Sequence, residues 1–183
     1  ANVPEYQRVA REYIVLNWQC DIAQVDGFSG SKSVLENFQT TDEMVEANSR
    51  KMISEISQSK LGENLAHTEI RIIHDPRSSD CFAQYRWDAR TWLLNSGGSH
   101  HFAAAKYIAA RLGATVPLKG KLKVYELDGA TIAALRSKFE MFAISDNSFV
   151  CNAFSDAMRA FRATWLWHAL PTPYMGIRAI LLP

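Results

Sequence analysis

A double glycine followed by a serine and two histidines is the part of this chain whose residue types best suit chemistry. Gly97 and Gly98 end a short apolar run. Ser99, His100 and His101 come next and open an alanine-rich stretch. Glycine allows a sharp turn and a close approach of the backbone to a ligand, and free N–H groups at the positive end of a helix attract anions. The pattern predicts a phosphate-binding turn with two imidazoles beside it.

Each residue of this turn has a candidate role in binding and a purely structural alternative. The glycines could cradle a phosphate or form a turn only. Ser99 could donate its hydroxyl to the phosphate, cap the helix, or do both. His100 and His101 would lie about 100° apart around a helix axis, so only one can easily face a given ligand. Lys106, about one and a half turns further on, could reach back to the phosphate or lie on a solvated face.

The turn needs a strand before it and a helix after it, and the flanking sequence predicts both. Thr40 and Glu43 have the spacing of a capping box. Gly113 is suited to end the alanine-rich helix, and Asp128 to begin another. Short β-branched runs bounded by turn residues indicate strands. The predicted helices lie at 4–18, 41–60, 100–112, 128–142 and 152–165, the predicted strands at 69–74, 90–94, 122–127 and 175–182, and loop or edge structure at 24–40 and 78–89.

These elements predict an α+β fold with a small mixed β-sheet, flanking helices, and extra N- and C-terminal helices. The length of 183 residues suits a single domain over 1–183. Within it we expect a helical N-terminal extension over 1–65, a core motif region over 66–130, and C-terminal helices over 131–183.

The order of elements around the glycine turn resembles the ParB/sulfiredoxin superfamily. In that family a strand ends in a glycine, a polar residue and a His-Arg or Arg-Arg pair. These open an alanine-containing helix, which is followed by Leu-Gly, Val-Pro and a further strand. The resemblance covers about a third of this chain, from Glu69 to Asp128. The matching segments are 97–101, 103–105, 112–113 and 116–117.

The resemblance implies a nucleotide-binding phosphohydrolase that uses ATP and Mg²⁺ and has ATPase and DNase activity. Members with extra terminal helices inhibit plasmid fertility by blocking conjugative DNA transfer through a type IV secretion system. The implied partners are a nucleotide, the DNA backbone without sequence specificity, and type IV secretion components. The implied location is the bacterial cytoplasm, or the inner membrane surface through partners. The alternative is a non-enzymatic adaptor that binds nucleotide or DNA backbone, in partition or as a plug on a secretion partner.

The resemblance also implies site residues. The catalytic residues are expected to be His100, His101, Arg71 and Asp75. The nucleotide-binding residues are expected to be Gly97, Gly98, Ser99, His100, His101 and Lys106. His100 matches the family's histidine and is the favoured ligand-facing imidazole. Arg71 or Arg77 could supply a guanidinium, and Asp75 or Asp80 could hold Mg²⁺ through water, although Asp75 could equally be a turn residue. The metal ligands are left unassigned.

Two positions depart from the family pattern. His101 stands where an arginine is expected, and imidazole is neutral over much of the physiological pH range and cannot form a bidentate fork to phosphate. Ser99 stands where sulfiredoxin has its redox cysteine. Phosphate binding is therefore implied, whereas sulfinic acid reduction is not.

Charge is unevenly distributed along the chain, although the net charge is only +1. Residues 1–80 carry 8 Lys and Arg against 13 Asp and Glu, whereas residues 81–183 carry 12 against 6. The basic half contains the glycine turn and could present a positive face to nucleotide or nucleic acid, or only ordinary surface lysines. The residues considered for this face are Lys106, Arg111, Lys119, Lys121 and Lys123.

Several classes of protein are excluded by composition. The three cysteines form no Cys-x-x-Cys pair, which argues against a zinc ribbon or a disulfide framework and suits a reducing cytoplasm. The sequence has no apolar run of about 18 residues, so we expect no transmembrane helix. The first residues lack a basic segment followed by an apolar one, so we expect no signal peptide.

Overall fold

The computed structural model describes residues 3–170 and 174–183, which fall into two compact units. One unit is Arg11–Glu126, and the other contains residues 3–10 and the described part of Leu127–Pro183. The glycine turn belongs to the first unit, which is therefore the unit that positions the candidate site.

Five strands form the sheet of the first unit. They are β1 Ala10–Asp21, β2 Gly27–Phe28, β3 Cys81–Tyr85, β4 Thr91–Leu94 and β5 Pro117–Leu127. Their order across the sheet is β1, β5, β3, β4, β2. Strand β3 runs parallel to β5 and antiparallel to β4, and β2 runs parallel to β4. The predicted α+β class with a small mixed sheet is confirmed.

Four helices accompany this sheet. They are α1 Thr41–Asn48, α2 Gln58–Leu65, α3 Arg71–His74 and α4 Ser99–Leu112. Short 3₁₀ turns lie at Ile22–Gln24, Leu35–Asn37 and Arg50–Ile53. Helix α4 contacts both α1 and α2. Its residues 102–105 are all buried. The alanines at 103–105 let neighbouring backbones approach closely on several sides of the helix. Helix α4 is therefore the centre of the unit.

The ends of the helices follow the capping signals in the sequence. The Thr40 hydroxyl accepts the Glu43 N–H at 3.1 Å, which starts α1 as predicted. Helix α4 ends at Gly113, which adopts φ 62° and donates its N–H to carbonyls of the last turn. Strand β4 and helix α4 were both predicted near their observed bounds, so the strand–turn–helix at the site is confirmed.

The predicted helix over 4–18 is wrong. A 3₁₀ turn at Tyr6–Arg8 is followed by β1, the longest strand of the sheet. The apolar residues have helical spacing, but the β-branched pair Ile14 and Val15 favours an extended backbone. Pairing with β5, which is distant in sequence, adds hydrogen bonds that no local pattern reveals.

Three further predictions in the first half are wrong. The helix expected over 41–60 is divided into α1 and α2, because Ser49 leaves the helical region at φ −143° and ψ 34°. The strand expected at 69–74 is the single helical turn α3. The segment expected to be loop or edge structure contains β3, a central strand whose Cys81, Phe82 and Ala83 are buried. Too few residues lie in β3 for periodicity to reveal it.

The second unit combines two helices with a small antiparallel sheet. Its elements are α5 Gly129–Lys138, β6 Glu140–Ser145, α6 Ser148–Ala160, β7 Leu166–Ala169 and β8 Ile177–Leu182. The strand order is β6, β8, β7. Asp128 caps α5 by accepting the Thr131 N–H at 2.8 Å, as predicted. The helix expected to reach 142 stops at Lys138, and strands β6 and β7 were not predicted.

The helices of both units are short. Within the described part of the chain, none is long and apolar enough to cross a lipid bilayer. The three cysteines are free thiols, with Cys20 and Cys81 buried.

Replacing Phe102 with alanine should destabilise the protein by about 3–5 kcal/mol. The Phe102 side chain is fully buried, and its ring packs edge-on against Phe28 with 5.5 Å between centroids. Urea unfolding followed by circular dichroism measures the loss. The matched control is Phe161→Ala, since Phe161 is 79% exposed and its truncation should change stability by less than about 0.5 kcal/mol. Equal effects of the two truncations would contradict the assigned core.

Candidate functional site

The glycine turn between β4 and α4 forms the floor of a cavity of about 500 Å³. One wall comes from the loop that follows β2, and the other from the chain between α2 and α3. The residues that line this cavity are Gly30, Ser31, Lys32, Met52, His67, Glu69, Arg71, Asn95, Ser96, Gly97, Gly98, Ser99, His100 and His101. The structure therefore brings together all five residues of the turn, 97–101, and Arg71.

The backbone conformation at Gly98 explains why a glycine stands there. Gly98 adopts φ 71°, and a Cβ at this position would lie 2.5 Å from the carbonyl oxygen of Glu69. A Cβ on Gly97 would lie 3.5 Å from the same oxygen, which is ordinary van der Waals contact. Gly98 is thus required by the packing of the Glu69 backbone on the turn, whereas Gly97 leaves room beside the cavity.

The N-terminus of α4 presents backbone donors to the cavity. Gly98 occupies the N-cap position and has no side chain that could cap the helix. The Phe102 N–H donates to the Gly98 carbonyl, and the preceding N–H groups have no carbonyl acceptor within the helix. The Ser99 hydroxyl donates to Ser31 Oγ at 3.0 Å and so holds the opposite wall against the turn. This end of α4 can receive an anion.

His100 is held between two serines. Its Nε2 lies 3.0 Å from Ser33 Oγ, and its Nδ1 lies 2.5 Å from Ser49 Oγ. Burial, followed by the charge of Lys32, lowers the pKa of His100 below the usual histidine value. The ring is therefore neutral at physiological pH, and both of its nitrogens are engaged within the wall of the cavity.

His101 is held differently and stacks on a second imidazole. Its Nδ1 lies 3.2 Å from Asn64 Oδ1. Its ring is parallel to that of His67, with 3.6 Å between centroids and 12° between planes. Burial is the main cause that lowers the pKa of His101, and repulsion by His67 is the next. His101 is thus a neutral imidazole whose Nε2 has no hydrogen-bond partner among the described residues.

Two cationic side chains flank the turn from opposite walls. Lys32 is exposed on the loop wall and has no ion pair within the described residues. Arg71 Nη1 donates to Ser96 Oγ at 2.8 Å. Ser96 in turn donates its hydroxyl and its N–H to Asp80 Oδ1, at 2.6 and 3.0 Å. Asp80 therefore lies behind Ser96 and anchors the residue that orients Arg71.

The other residues predicted for the site lie elsewhere. Lys106 faces a second cavity of about 650 Å³ and donates to the Val25 carbonyl. Burial lowers the pKa of Lys106, although Asp26 and Asp42 act in the opposite direction. Asp75 is exposed and accepts the Arg77 N–H at 2.9 Å, as in an ordinary turn. The structure does not bring Lys106, Asp75 or Arg77 into the lining of the first cavity.

The sequence interpretation missed residues from both walls. Lys32 lies in Gly30-Ser31-Lys32-Ser33, a segment interpreted only as loop. A lysine between two serines after a glycine is the signal that could have drawn attention to it, since this composition suits phosphate contacts. His67 and Asn64 had no such signal, because their approach to His101 depends on the packing of α2 against α4.

A protein-held metal ion does not fit these residues. Across 3–170 and 174–183, no group of three or more His, Cys, Asp or Glu side chains is arranged to hold one. Asp75 lies on its exposed turn and Asp80 behind Ser96, so neither is among the residues that line the cavity.

Comparison with known proteins assigns a family. The sequence model of a family of unknown function (DUF6685) matches residues 15–183. The chain belongs to the DUF6685 family. No curated protein and no solved structure matches this DUF6685 chain. The match includes the cavity lining of the first unit and the Leu127–Pro183 segment of the second unit.

Replacement by alanine should destabilise the protein much more at Gly98 than at Gly97. Gly98→Ala requires movement of the Glu69 backbone and a left-handed conformation, and should cost about 1–3 kcal/mol or more in the free energy of unfolding. Gly97→Ala meets only ordinary contacts and should change that free energy by less than about 1 kcal/mol. Thermal unfolding compares the two variants. A Gly97→Ala protein less stable than Gly98→Ala would contradict the steric assignment.

Proposed function

We propose that this DUF6685 protein is a nucleotide-binding phosphohydrolase of the ParB/sulfiredoxin type, and that ATP is its nucleotide. The observation that carries the proposal is the uncapped N-terminus of α4, which opens into a cavity flanked by Lys32 and Arg71. The volume of about 500 Å³ lies within the range of small-ligand sites.

Phosphate recognition is supported by donors that converge from three segments. The N–H groups at the start of α4 and the helix dipole favour negative charge. Lys32 supplies a flexible ammonium, and Arg71 supplies a guanidinium that Ser96 already orients. A planar guanidinium can donate two parallel hydrogen bonds to two oxygens of one phosphate group. Arg71 thereby compensates for the arginine that His101 replaces in the motif.

Hydrolysis requires water to attack the terminal phosphorus while negative charge develops on the equatorial oxygens. Backbone N–H groups, Lys32 and Arg71 are placed to stabilise that charge. Neutral imidazole next to the phosphate site can assist proton transfer. We propose that Mg²⁺ arrives with the nucleotide, held by its phosphates and by water, since Mg²⁺ keeps several waters in such sites.

The expected action on DNA is a proposal that depends mainly on the resemblance. Of the five basic residues considered, Lys106 bonds to Val25, Arg111 pairs with Asp42, and Lys123 lies 3.9 Å from Glu12. Lys119 and Lys121 are exposed on β5, and alternate residues of a strand share one face. We propose that this face holds the DNA backbone, and that the protein cleaves DNA and inhibits conjugative transfer through a type IV secretion partner in the bacterial cytoplasm.

Binding of ATP should depend on the cavity residues. Lys32→Ala and Arg71→Ala should each weaken ATP binding by at least about 10-fold, because each removes a charged hydrogen-bond donor to phosphate. Isothermal titration calorimetry measures the affinity, and phosphate release in the presence of Mg²⁺ measures turnover. Lys119→Ala is the matched control and should leave both unchanged.

Three outcomes separate the candidate functions. Phosphate release by the wild-type protein that is lost in Arg71→Ala supports the phosphohydrolase. ATP binding without phosphate release supports the non-enzymatic adaptor instead. Unchanged ATP affinity in both cavity variants would refute the assignment of this cavity as the ATP site.

DNA binding should depend on the lysines of β5 and not on the cavity. Replacing Lys119 and Lys121 together with alanine should reduce the salt dependence of duplex binding by about one phosphate contact per lysine. Fluorescence anisotropy at several salt concentrations gives the slope. Lys32→Ala is the reciprocal control, and it should weaken ATP binding while leaving the DNA slope intact. Identical slopes in the β5 variant and the wild-type protein would refute the proposed DNA face.

A further inference from the structure

The hydrogen bonds of Asn64 fix which nitrogen of His101 carries a proton. Asn64 is only 2% exposed, and its Nδ2 donates to the carbonyls of Met52 and Lys60, both at 2.9 Å. Its two N–H groups are therefore used, and Oδ1 faces His101 Nδ1 at 3.2 Å. An amide oxygen only accepts hydrogen bonds. The Nδ1 of His101 must carry the proton, so that in the neutral ring the lone pair is on Nε2.

Stacking with His67 fixes the plane of the same ring. The two rings lie 3.6 Å apart and nearly parallel. His67 Nδ1 lies 3.4 Å from the Glu69 N–H, which attaches the second ring to the chain that packs on Gly98. Both histidines line the cavity. His101 is therefore held by its edge and by one face, and its Nε2 remains available for a ligand.

We propose that His101 is the general base of the hydrolysis, that its Nε2 accepts a proton from the attacking water, and that Asn64 and His67 are the residues that position it. This proposal rests on the proposed phosphohydrolase function. His100 cannot take the same role, because both of its nitrogens bond to serine hydroxyls.

The step balances without a further reactant. A bond forms between the water oxygen and the terminal phosphorus of ATP, and a water proton passes to Nε2 of His101. The bond from that phosphorus to the bridging oxygen breaks, and its electron pair leaves with ADP. The products are ADP and inorganic phosphate, and the imidazolium afterwards releases its proton to solvent.

Groups on several elements influence the pKa of His101, and with it the pH range in which the ring is neutral and can act as a base. Four neighbouring groups affect the protonation of its ring. They are Glu63 of α2, His67 between α2 and α3, Glu69 before α3, and His100 of α4. Burial and the two histidines favour the neutral ring, whereas the two glutamates favour the imidazolium. Removing the repulsion from His67 should therefore raise the pKa of His101. Because the neutral ring is the active form, the acidic limb of the rate profile should then move to higher pH.

The first test determines the tautomer of His101, and it does not require that the protein hydrolyse ATP. Long-range ¹H–¹⁵N spectra of the full-length wild-type protein at pH 8 should show His101 with a protonated Nδ1 and a bare Nε2. The His101→Gln variant identifies its signals. A proton on Nε2 would overturn the base assignment, even if the protein hydrolyses ATP.

Turnover is tested with variants of the two stacked rings. His101→Gln should lower kcat for phosphate release from ATP by about 10²–10⁴-fold, the usual contribution of a general base, with little change in ATP affinity. His67→Phe keeps a flat ring against His101 without a charge, and should move the acidic limb of the kcat profile upward. His168→Gln, in the second unit, is the matched control and should behave as the wild-type protein does.

The outcomes separate this proposal from the one it rests on. Wild-type protein that binds ATP without releasing phosphate refutes both the phosphohydrolase and its base. Wild-type turnover with full kcat in His101→Gln, or with a protonated Nε2 on His101, refutes the base alone. Wild-type turnover with an unshifted acidic limb in His67→Phe refutes the part assigned to His67. If His101→Gln does not fold, sequential assignment of the wild-type spectrum identifies the His101 signals instead, and the wild-type tautomer still decides the assignment.

Discussion

The arrangement of the cavity depends on one steric constraint, the contact between the backbone of Glu69 and the turn at Gly98. A Cβ at position 98 would lie 2.5 Å from the Glu69 carbonyl oxygen, so the Glu69 backbone would have to move to make room for it. This approach brings the chain between α2 and α3 onto the start of α4. It places His67 over His101 and Arg71 beside Ser96. The absence of a side chain at position 98 thus determines which groups surround the proposed phosphate position.

The opposite wall is organised by hydroxyl groups. Ser99 bonds to Ser31, and His100 bridges Ser33 and Ser49. Each such bond contributes only about 0.5–1.5 kcal/mol to stability. Their greater effect is that the side chains of this wall form hydrogen bonds with one another and not with the turn backbone. The backbone N–H groups of the turn therefore stay available to an anion. Donors arranged before the ligand arrives need little reorganisation when it binds.

Local sequence signals predicted what depends on local geometry. The strand β4, the turn at Gly98, the helix α4 with its end at Gly113, and the cap at Asp128 each follow from residues within one element. The wall formed by the loop after β2 could not be predicted in this way. Its groups are up to 68 residues away from the turn in sequence, as Ser31 is from Ser99. The prediction for Lys106 assumed that its side chain extends along α4 toward the N-terminus of the helix. The structure instead turns that side chain toward Val25, because the surrounding sheet and loop decide which face of α4 meets the cavity.

The contact of Ser99 with Ser31 also has a consequence for the order of folding. The cavity is assembled from the loop after β2, the 3₁₀ turn before α2, the chain before α3, and the turn before α4. Contacts between such distant segments carry a loop-closure cost and form after local structure. The segment that bears the motif supplies the floor and one wall, but Lys32 and the serines lie outside it. A fragment limited to residues 66–130 would therefore retain the residues of the motif and lose the wall that encloses the candidate site.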